Sequence, residues 1–156
     1  MKSSARTLAL AAVAGVLTAA SGQGRESESQ QAFRYAPEKI QRILIERPAA
    51  RARFDQGVQC RSLKLDEKRV RFFLRHGTPT TSAEYRRNAI VDDCSADAKV
   101  FFSDGTTATV SIDSGTGWGA LSVGKRSSFL ACDSCVDILE PGFSFDPRRR
   151  PSDLPP

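Results

Sequence analysis

The sequence lacks most of the patterns that mark catalytic or metal-binding proteins. Histidine occurs once, as His76, and no serine lies in a Gly-x-Ser-x-Gly elbow, so nothing local supports a Ser-His-Asp triad. The Cys-x-x-Cys pattern also occurs once, whereas a structural zinc site usually takes two such pairs. EF-hand spacing and internal repeats are lacking as well. We therefore predict no catalytic residue, no metal and no cofactor.

Long apolar runs are lacking beyond the N-terminus, so no transmembrane segment is predicted. Lys2 and Arg6 precede the apolar run Leu8–Leu17, and small residues follow at 18–22. As a helix this run would span about 15 Å, half of a ~30 Å hydrocarbon core, which makes an uncleaved anchor the weaker alternative. The pattern predicts a signal peptide, residues 1–21, and export to the periplasm or beyond.

Export decides how the four cysteines are interpreted, because disulfides persist in oxidising compartments. Four cysteines allow three pairings, and we predict Cys60–Cys94 and Cys132–Cys135. A Cys60–Cys94 bond closes a long loop and would stabilise the fold by about 4 kcal/mol, whereas the short Cys132–Cys135 loop limits its bond to about 2 kcal/mol. We expect both bonds to be structural, the second one local.

Periodicity predicts the elements in the first half of the domain. A helix is predicted over Pro37–Arg47, where proline suits the first position and apolar residues recur at helical spacing. Strands are predicted over Val58–Leu65 and Arg69–Arg75, the second with alternating apolar and cationic residues. Thr81 and Glu84 form a capping-box pattern, which predicts a short second helix.

The stretch Ala98–Cys135 is predicted to form a meander of short strands. Asp104-Gly105 is a strong hairpin signal, and a two-residue loop there would direct Phe101 to the core and Val100 and Phe102 to the other face. A slip of one residue in this register exchanges the two sets. We expect the Pro37–Arg47 helix to cover Val100 and Phe102.

The predicted fold class is α+β. We expect a small antiparallel meander of about five strands, with one packed N-terminal helix and a short second helix. The signal peptide is followed by a flexible leader at 22–34, one disulfide-stabilised domain at 35–143, and a disordered tail rich in proline and arginine at 144–156.

Charge is distributed unevenly along the chain. Residues 34–87 contain 14 lysines and arginines against 6 acids, and residues 88–146 contain 3 against 9. Either the halves neutralise each other in the fold, or a basic face meets an acidic partner. The candidate binding residues are the exposed residues of the arginine-rich strand and the single tryptophan: Arg69, Arg71, Phe73, Arg75 and Trp118. Trp118 either packs on the core or projects as an anchor for a partner.

These features predict a small exported non-enzymatic binding module of the inhibitor or immunity type. Its partner is expected to be a protein or an anionic envelope component, and not a nucleic acid. The alternatives are a periplasmic thiol oxidoreductase that uses Cys132 and Cys135, or a small hydrolase that uses His76. The oligomeric state is left open.

Overall fold

In the computed structural model, residues 35–53, 57–89 and 94–148 are described. The predicted signal peptide, the leader and residues 149–156 of the tail lie outside these ranges. The described residues form an α+β fold with a seven-stranded antiparallel sheet and two α-helices. The predicted fold class is therefore confirmed, and the sheet has more strands than the five that were expected.

The elements are joined by short connections, except for residues 53–66 before the first α-helix. The strands are β1 Ile40–Leu44, β2 Arg51–Ala52, β3 Thr78–Thr80, β4 Cys94–Phe102, β5 Thr107–Asp113, β6 Trp118–Val123 and β7 Arg126–Ala131. The α-helices are α1 Glu67–His76 and α2 Ser82–Asn88, and 3₁₀ turns lie at Pro37–Lys39 and Asp133–Cys135. The sheet order is β1-β4-β5-β6-β7-β3, with β2 also paired to β4, so the predicted meander forms its centre.

The helix predicted over Pro37–Arg47 is wrong. A 3₁₀ turn leads directly into β1, in which Ile40 pairs with Phe102 and Ile43 with Val100. A register shift between Ile40 and Arg42 inserts one extra residue, so both isoleucines face the core. Residues three apart on a regular strand lie on opposite faces. The bulge places Ile40 and Ile43 on the same face, so their spacing in the sequence is the one expected of a helix.

The strand predicted over Arg69–Arg75 is also wrong, because these residues belong to α1. The side chain of Asp66 caps the helix by accepting a 2.8 Å hydrogen bond from the Arg69 amide. The buried residues follow helical spacing: Val70, Phe73 and Leu74. The Val58–Leu65 strand is wrong too, since these described residues form turns and only Lys64 makes an isolated bridge, to Ala49.

The capping box that predicts the second helix is confirmed. The Thr81 hydroxyl accepts a hydrogen bond from the Glu84 amide, and the Glu84 carboxylate accepts one from the Thr81 amide. Hydrogen bonds from the Thr80 hydroxyl and from Thr81 lower the pKa of Glu84 to about 2. Two of the backbone groups that a helix N-terminus leaves without partners are thereby satisfied.

The hairpin forms at the predicted turn but in the other register. Val100 pairs with Ala108 and Phe101 with Thr107, which makes a three-residue loop that ends in Gly105 at a φ of 81°. Val100 and Phe102 therefore point to the core. Phe101, which we expected in the core, lies on the opposite face, where the guanidinium of Arg42 stands 4.2 Å from its ring centroid.

The core lies between α1 and one face of the sheet. Phe73 of α1 is fully buried there, and the central strands contribute alternate residues such as Val100, Val110 and Leu121. As predicted, the Cys60–Cys94 pair and the Cys132–Cys135 pair lie at disulfide distance, with Cα atoms 5.7 and 5.2 Å apart. Among the described residues, no helix has the length and apolar character that crossing a membrane requires.

Candidate functional site

A groove runs along the outer face of α1, between the helix and the chain segment that follows the last 3₁₀ turn. Its volume is about 510 Å³. We call it the α1 groove and define it by its lining residues: Glu67, Lys68, Arg71, Phe72, Arg75 and Phe145. Five of the six lie on one helix, so the fold of α1 sets the geometry of the site.

The amphipathic pattern of α1 explains why cations line the groove. Val70, Phe73 and Leu74 turn inward, which leaves positions 68, 71 and 75 on the opposite side of the helix. With a rise of 1.5 Å per residue, the three cations spread over about 10 Å along the axis. The result is a row of positive charge parallel to the groove.

Aromatic rings form the apolar part of the groove. The ring of Phe72 meets that of Phe145 edge-on at 5.6 Å, and Phe143 packs behind both rings at 5.6 Å from Phe72 and 5.1 Å from Phe145. His76 lies one turn further along α1, with its ring 4.4 Å from Phe72. Such T-shaped contacts are a favourable arrangement for aromatic pairs and hold the segment carrying Phe145 against the helix.

Cations also contact the Phe145 ring directly. The Lys68 ammonium lies 4.0 Å from the ring centroid and the Arg69 guanidinium 5.6 Å from it. Cation–π attraction of this kind contributes about 0.5–1 kcal/mol at exposed sites. The groove thus already holds one aromatic ring next to positive charge.

The groove retains an excess of positive charge. Glu67 is its single carboxylate, and it forms an ion pair with Arg71 at 2.7 Å. Arg71 also donates a long hydrogen bond of 3.4 Å to the Ile40 carbonyl. Arg75 is exposed and has no hydrogen-bond or ion-pair partner within the described part of the chain. An anionic group in the groove would meet Lys68 and Arg75 before any competing acid.

The structure brings two of the five predicted binding residues to the groove, Arg71 and Arg75. Arg69 turns into the fold, where its guanidinium donates to the carbonyls of Ile138 at 2.8 Å and Glu140 at 2.7 Å and contacts Asp66. Phe73 is in the core, so the expectation that it is exposed is wrong.

Trp118 lies apart from the groove, on the opposite face of the sheet. It is half-buried, and Tyr85 of α2 packs edge-on against its ring at 5.9 Å. The Tyr85 hydroxyl donates a 2.8 Å hydrogen bond to the buried carboxylate of Asp113. Burial and, secondarily, this carboxylate raise the pKa of Tyr85. We interpret the cluster as the packing of α2 onto the sheet.

The predicted binding set lacks four of the six groove residues: Glu67, Lys68, Phe72 and Phe145. Recognising Asp66 as the N-cap of α1 would have placed Lys68 on the exposed side of that helix. Phe145 belonged to the predicted tail, yet its ring packs on α1. The aromatic pair Phe143 and Phe145, spaced by one residue, was the available sign that this segment returns to the domain.

The Cys-x-x-Cys pair has an environment that suits a structural crosslink. Cys132 is 2% exposed and Cys135 fully buried, and the turn that begins at Cys132 is a 3₁₀ turn of three residues. Redox-active pairs place an accessible first sulfur at the start of an α-helix, whose dipole lowers the thiol pKa. The oxidoreductase alternative therefore gains no support from this geometry.

The hydrolase alternative depends on His76. Its ring packs on Phe72 at the C-terminal end of α1. No serine or aspartate in the described ranges makes a hydrogen bond to this imidazole. A general base needs such a partner to be oriented. The geometry of His76 thus gives no reason to assign it a catalytic role.

No protein-family model, no curated protein and no solved structure matches the chain. Within residues 35–53, 57–89 and 94–148, no group of three or more histidine, cysteine, aspartate and glutamate side chains is placed to hold a metal ion.

Proposed function

We propose that the protein is a small non-enzymatic binding module that holds an acidic segment of a partner protein in the α1 groove. One observation carries the proposal: three cationic side chains surround a groove of about 510 Å³ whose apolar surface consists of two phenylalanine rings. This combination recognises a chain that carries carboxylates and an apolar side chain together.

The cations of the α1 groove orient an acidic partner and accelerate its association more than they increase its affinity. An exposed ion pair contributes only about 0.2–1 kcal/mol, so Lys68 and Arg75 alone would hold an acidic peptide weakly. Electrostatic attraction does accelerate encounter with an acidic partner and disfavours basic ones. Measurable affinity therefore requires an apolar contact in the same groove.

The phenylalanine rings provide that contact. Phe72 and Phe145 are both partly exposed, and covering apolar surface yields about 25 cal/mol per Å². Aromatic side chains and arginine are the residues that most often dominate binding energy at protein interfaces. We therefore assign the partner segment an aromatic or large aliphatic residue flanked by acids.

Export belongs to the same proposal. Two cysteine pairs at disulfide distance are compatible with an oxidising compartment. A small crosslinked domain outside the cytoplasm is a suitable frame for a binding surface, because it resists unfolding without cofactor or metal. The inhibitor or immunity type of role fits a module of this size.

The proposal can be tested with a synthetic peptide of about five residues, roughly 17 Å when extended, in which glutamates flank a central phenylalanine. Binding is measured by fluorescence anisotropy with an uncharged dye at low salt. The wild-type protein should bind this peptide, and K68Q/R75Q should weaken binding about tenfold. R86Q/R87Q, which removes two exposed charges from α2, is the matched control and should bind like wild type.

Equal weakening by K68Q/R75Q and R86Q/R87Q would contradict the proposal, because net charge rather than the groove would then be responsible. A peptide with alanine in place of phenylalanine should lose measurable binding, and one with glutamines in place of the glutamates should bind more weakly. Preference for vesicles containing anionic lipid over every acidic peptide would assign the groove to a membrane surface instead.

A further inference from the structure

A second cleft, of about 680 Å³, includes Asp66 and Arg69 near the start of α1 in its lining. We call it the loop cleft. Leu65, Leu139 and Pro48 form its apolar floor, and Arg61, Ser62 and Lys64 stand at its rim. Its composition repeats that of the α1 groove, with cations around an apolar surface.

The loop that carries these cations is held in place along its length. Cys60 lies at disulfide distance from Cys94, and its carbonyl accepts a 3.0 Å hydrogen bond from the Leu63 amide. The Lys64 amide donates to the Leu139 carbonyl at 2.9 Å. The Leu65 amide donates to the Pro48 carbonyl at 2.7 Å. Arg61 and Lys64 are therefore presented from a fixed backbone.

Both of these side chains are exposed. Within the described residues, neither the Arg61 guanidinium nor the Lys64 ammonium makes a hydrogen bond or an ion pair. Cations that stabilise a fold usually contact acids or carbonyls, as Arg69 does here. The rim of the loop cleft thus carries positive charge that the fold itself does not use.

Consecutive residues at the start of α1 line the two clefts. Asp66 lines the loop cleft and Glu67, the next residue, lines the α1 groove. Both carboxylates are already bound, Asp66 by Arg69 and Glu67 by Arg71. Neither acid is therefore an unneutralised charge that would repel an anionic chain crossing this junction.

From this arrangement we infer that the two clefts form one track, which takes a single extended acidic segment of the partner and not a compact anion. The inference rests on the proposed function and adds the length and form of the ligand. A ten-residue helix is about 15 Å long, so a ligand that follows α1 and then enters the loop cleft must be an extended chain. Two linked contacts bind more tightly than one, because the second contact forms within the same complex.

The test compares the peptide of about five residues with two peptides of about fourteen residues, roughly 47 Å when extended. Each long peptide contains the same core and adds glutamates at one end only, since the direction of the chain in the track is open. One of the two should bind the wild-type protein about tenfold more tightly than the short peptide. R61Q/K64Q should return its affinity to that of the short peptide and leave the short peptide unchanged.

Three outcomes would overturn the inference. Neither long peptide binds more tightly than the short one, or R61Q/K64Q weakens short and long peptides equally, or glutamine extensions work as well as glutamates. In each of these the short peptide still binds, so the proposed function stands. Loss of all peptide binding by the wild-type protein would overturn both. Near-ultraviolet circular dichroism of R61Q/K64Q verifies that the variant is folded.

Discussion

The ring of Phe73 lies against the backbone of Gly119, at a place where a β-carbon would stand 2.8 Å from its Cζ atom. Real β-carbon contacts are essentially never that short, so β6 needs a residue without a side chain here. The contact seats α1 on the sheet and thereby sets the position of the α1 groove.

We expect Gly119→Ala to destabilise the protein by about 1–3 kcal/mol, because the methyl group would overlap the Ser111 carbonyl oxygen and stand 2.8 Å from the Phe73 ring. The matched control is Gly142→Ala, where a β-carbon would have nothing within 4 Å. The control should be neutral or slightly stabilising, since alanine reduces the freedom of the unfolded chain. Urea unfolding of both variants checks the difference, and equal effects would contradict the close packing at Gly119.

The two cysteine pairs should contribute unequally to stability. Removing Cys60 and Cys94 together as serines should cost about 4 kcal/mol, because their bond closes a loop with a sequence separation of 34. Removing Cys132 and Cys135 should cost about 2 kcal/mol or less, since their separation is 3. Denaturant midpoints of the two double variants give the comparison.

A catalytic assay tests the alternative that the protein is a thiol oxidoreductase. An insulin-reduction assay of the wild-type protein should give no turnover, because Cys132 and Cys135 are shielded from solvent. Turnover that Cys132→Ser abolishes would restore the oxidoreductase assignment.

We expect the Tyr35 phenol to ionise at a higher pH than usual, so that the stability of the protein falls at alkaline pH. Its hydroxyl donates a 3.0 Å hydrogen bond to the Leu74 carbonyl, and burial raises its pKa from 10.0 to about 12. Because the folded-state pKa is raised, the associated stability is present below about pH 10 and is lost between about pH 10 and 12. Tyr35→Phe should cost about 1 kcal/mol at neutral pH and flatten this alkaline loss.

Ultraviolet titration of the phenol group measures this pKa directly. The chain has two tyrosines, so Tyr85→Phe leaves Tyr35 as the only one that titrates. A value near 10 in that variant would show that the Tyr35 ring is solvated.

Sequence reasoning succeeded where the signal is local. The Thr81 and Glu84 capping box depends on a few consecutive residues, and the turn at Asp104-Gly105 does too. The hairpin register was missed because it depends on which face α1 covers, and that is a long-range property. The cysteine pairing could be predicted because the loop lengths and an oxidising compartment both limit the possible pairings.

Errors arose where one pattern fits two periods. Val70 and Leu74 are four residues apart, a spacing that suits one face of a helix and one face of a strand equally. A strand would bury residue 72 together with Val70 and Leu74, whereas a helix would bury residue 73. Both residues are phenylalanine, so the sequence does not distinguish the two structures. The bulge in β1 had a similar effect at Ile40 and Ile43. The α1 groove was not predicted, because α1 was predicted as a strand. The groove also includes Phe145, which is distant from α1 in the sequence.

The Cys60–Cys94 pair joins the ends of a segment that contains both α-helices. A protease that cuts once inside this ring leaves α1 covalently attached to the sheet through the sulfurs. Nicked protein would run as one species on a gel until a reductant is added, and then as two. The protein can in this way survive one backbone cut with α1 retained on the sheet.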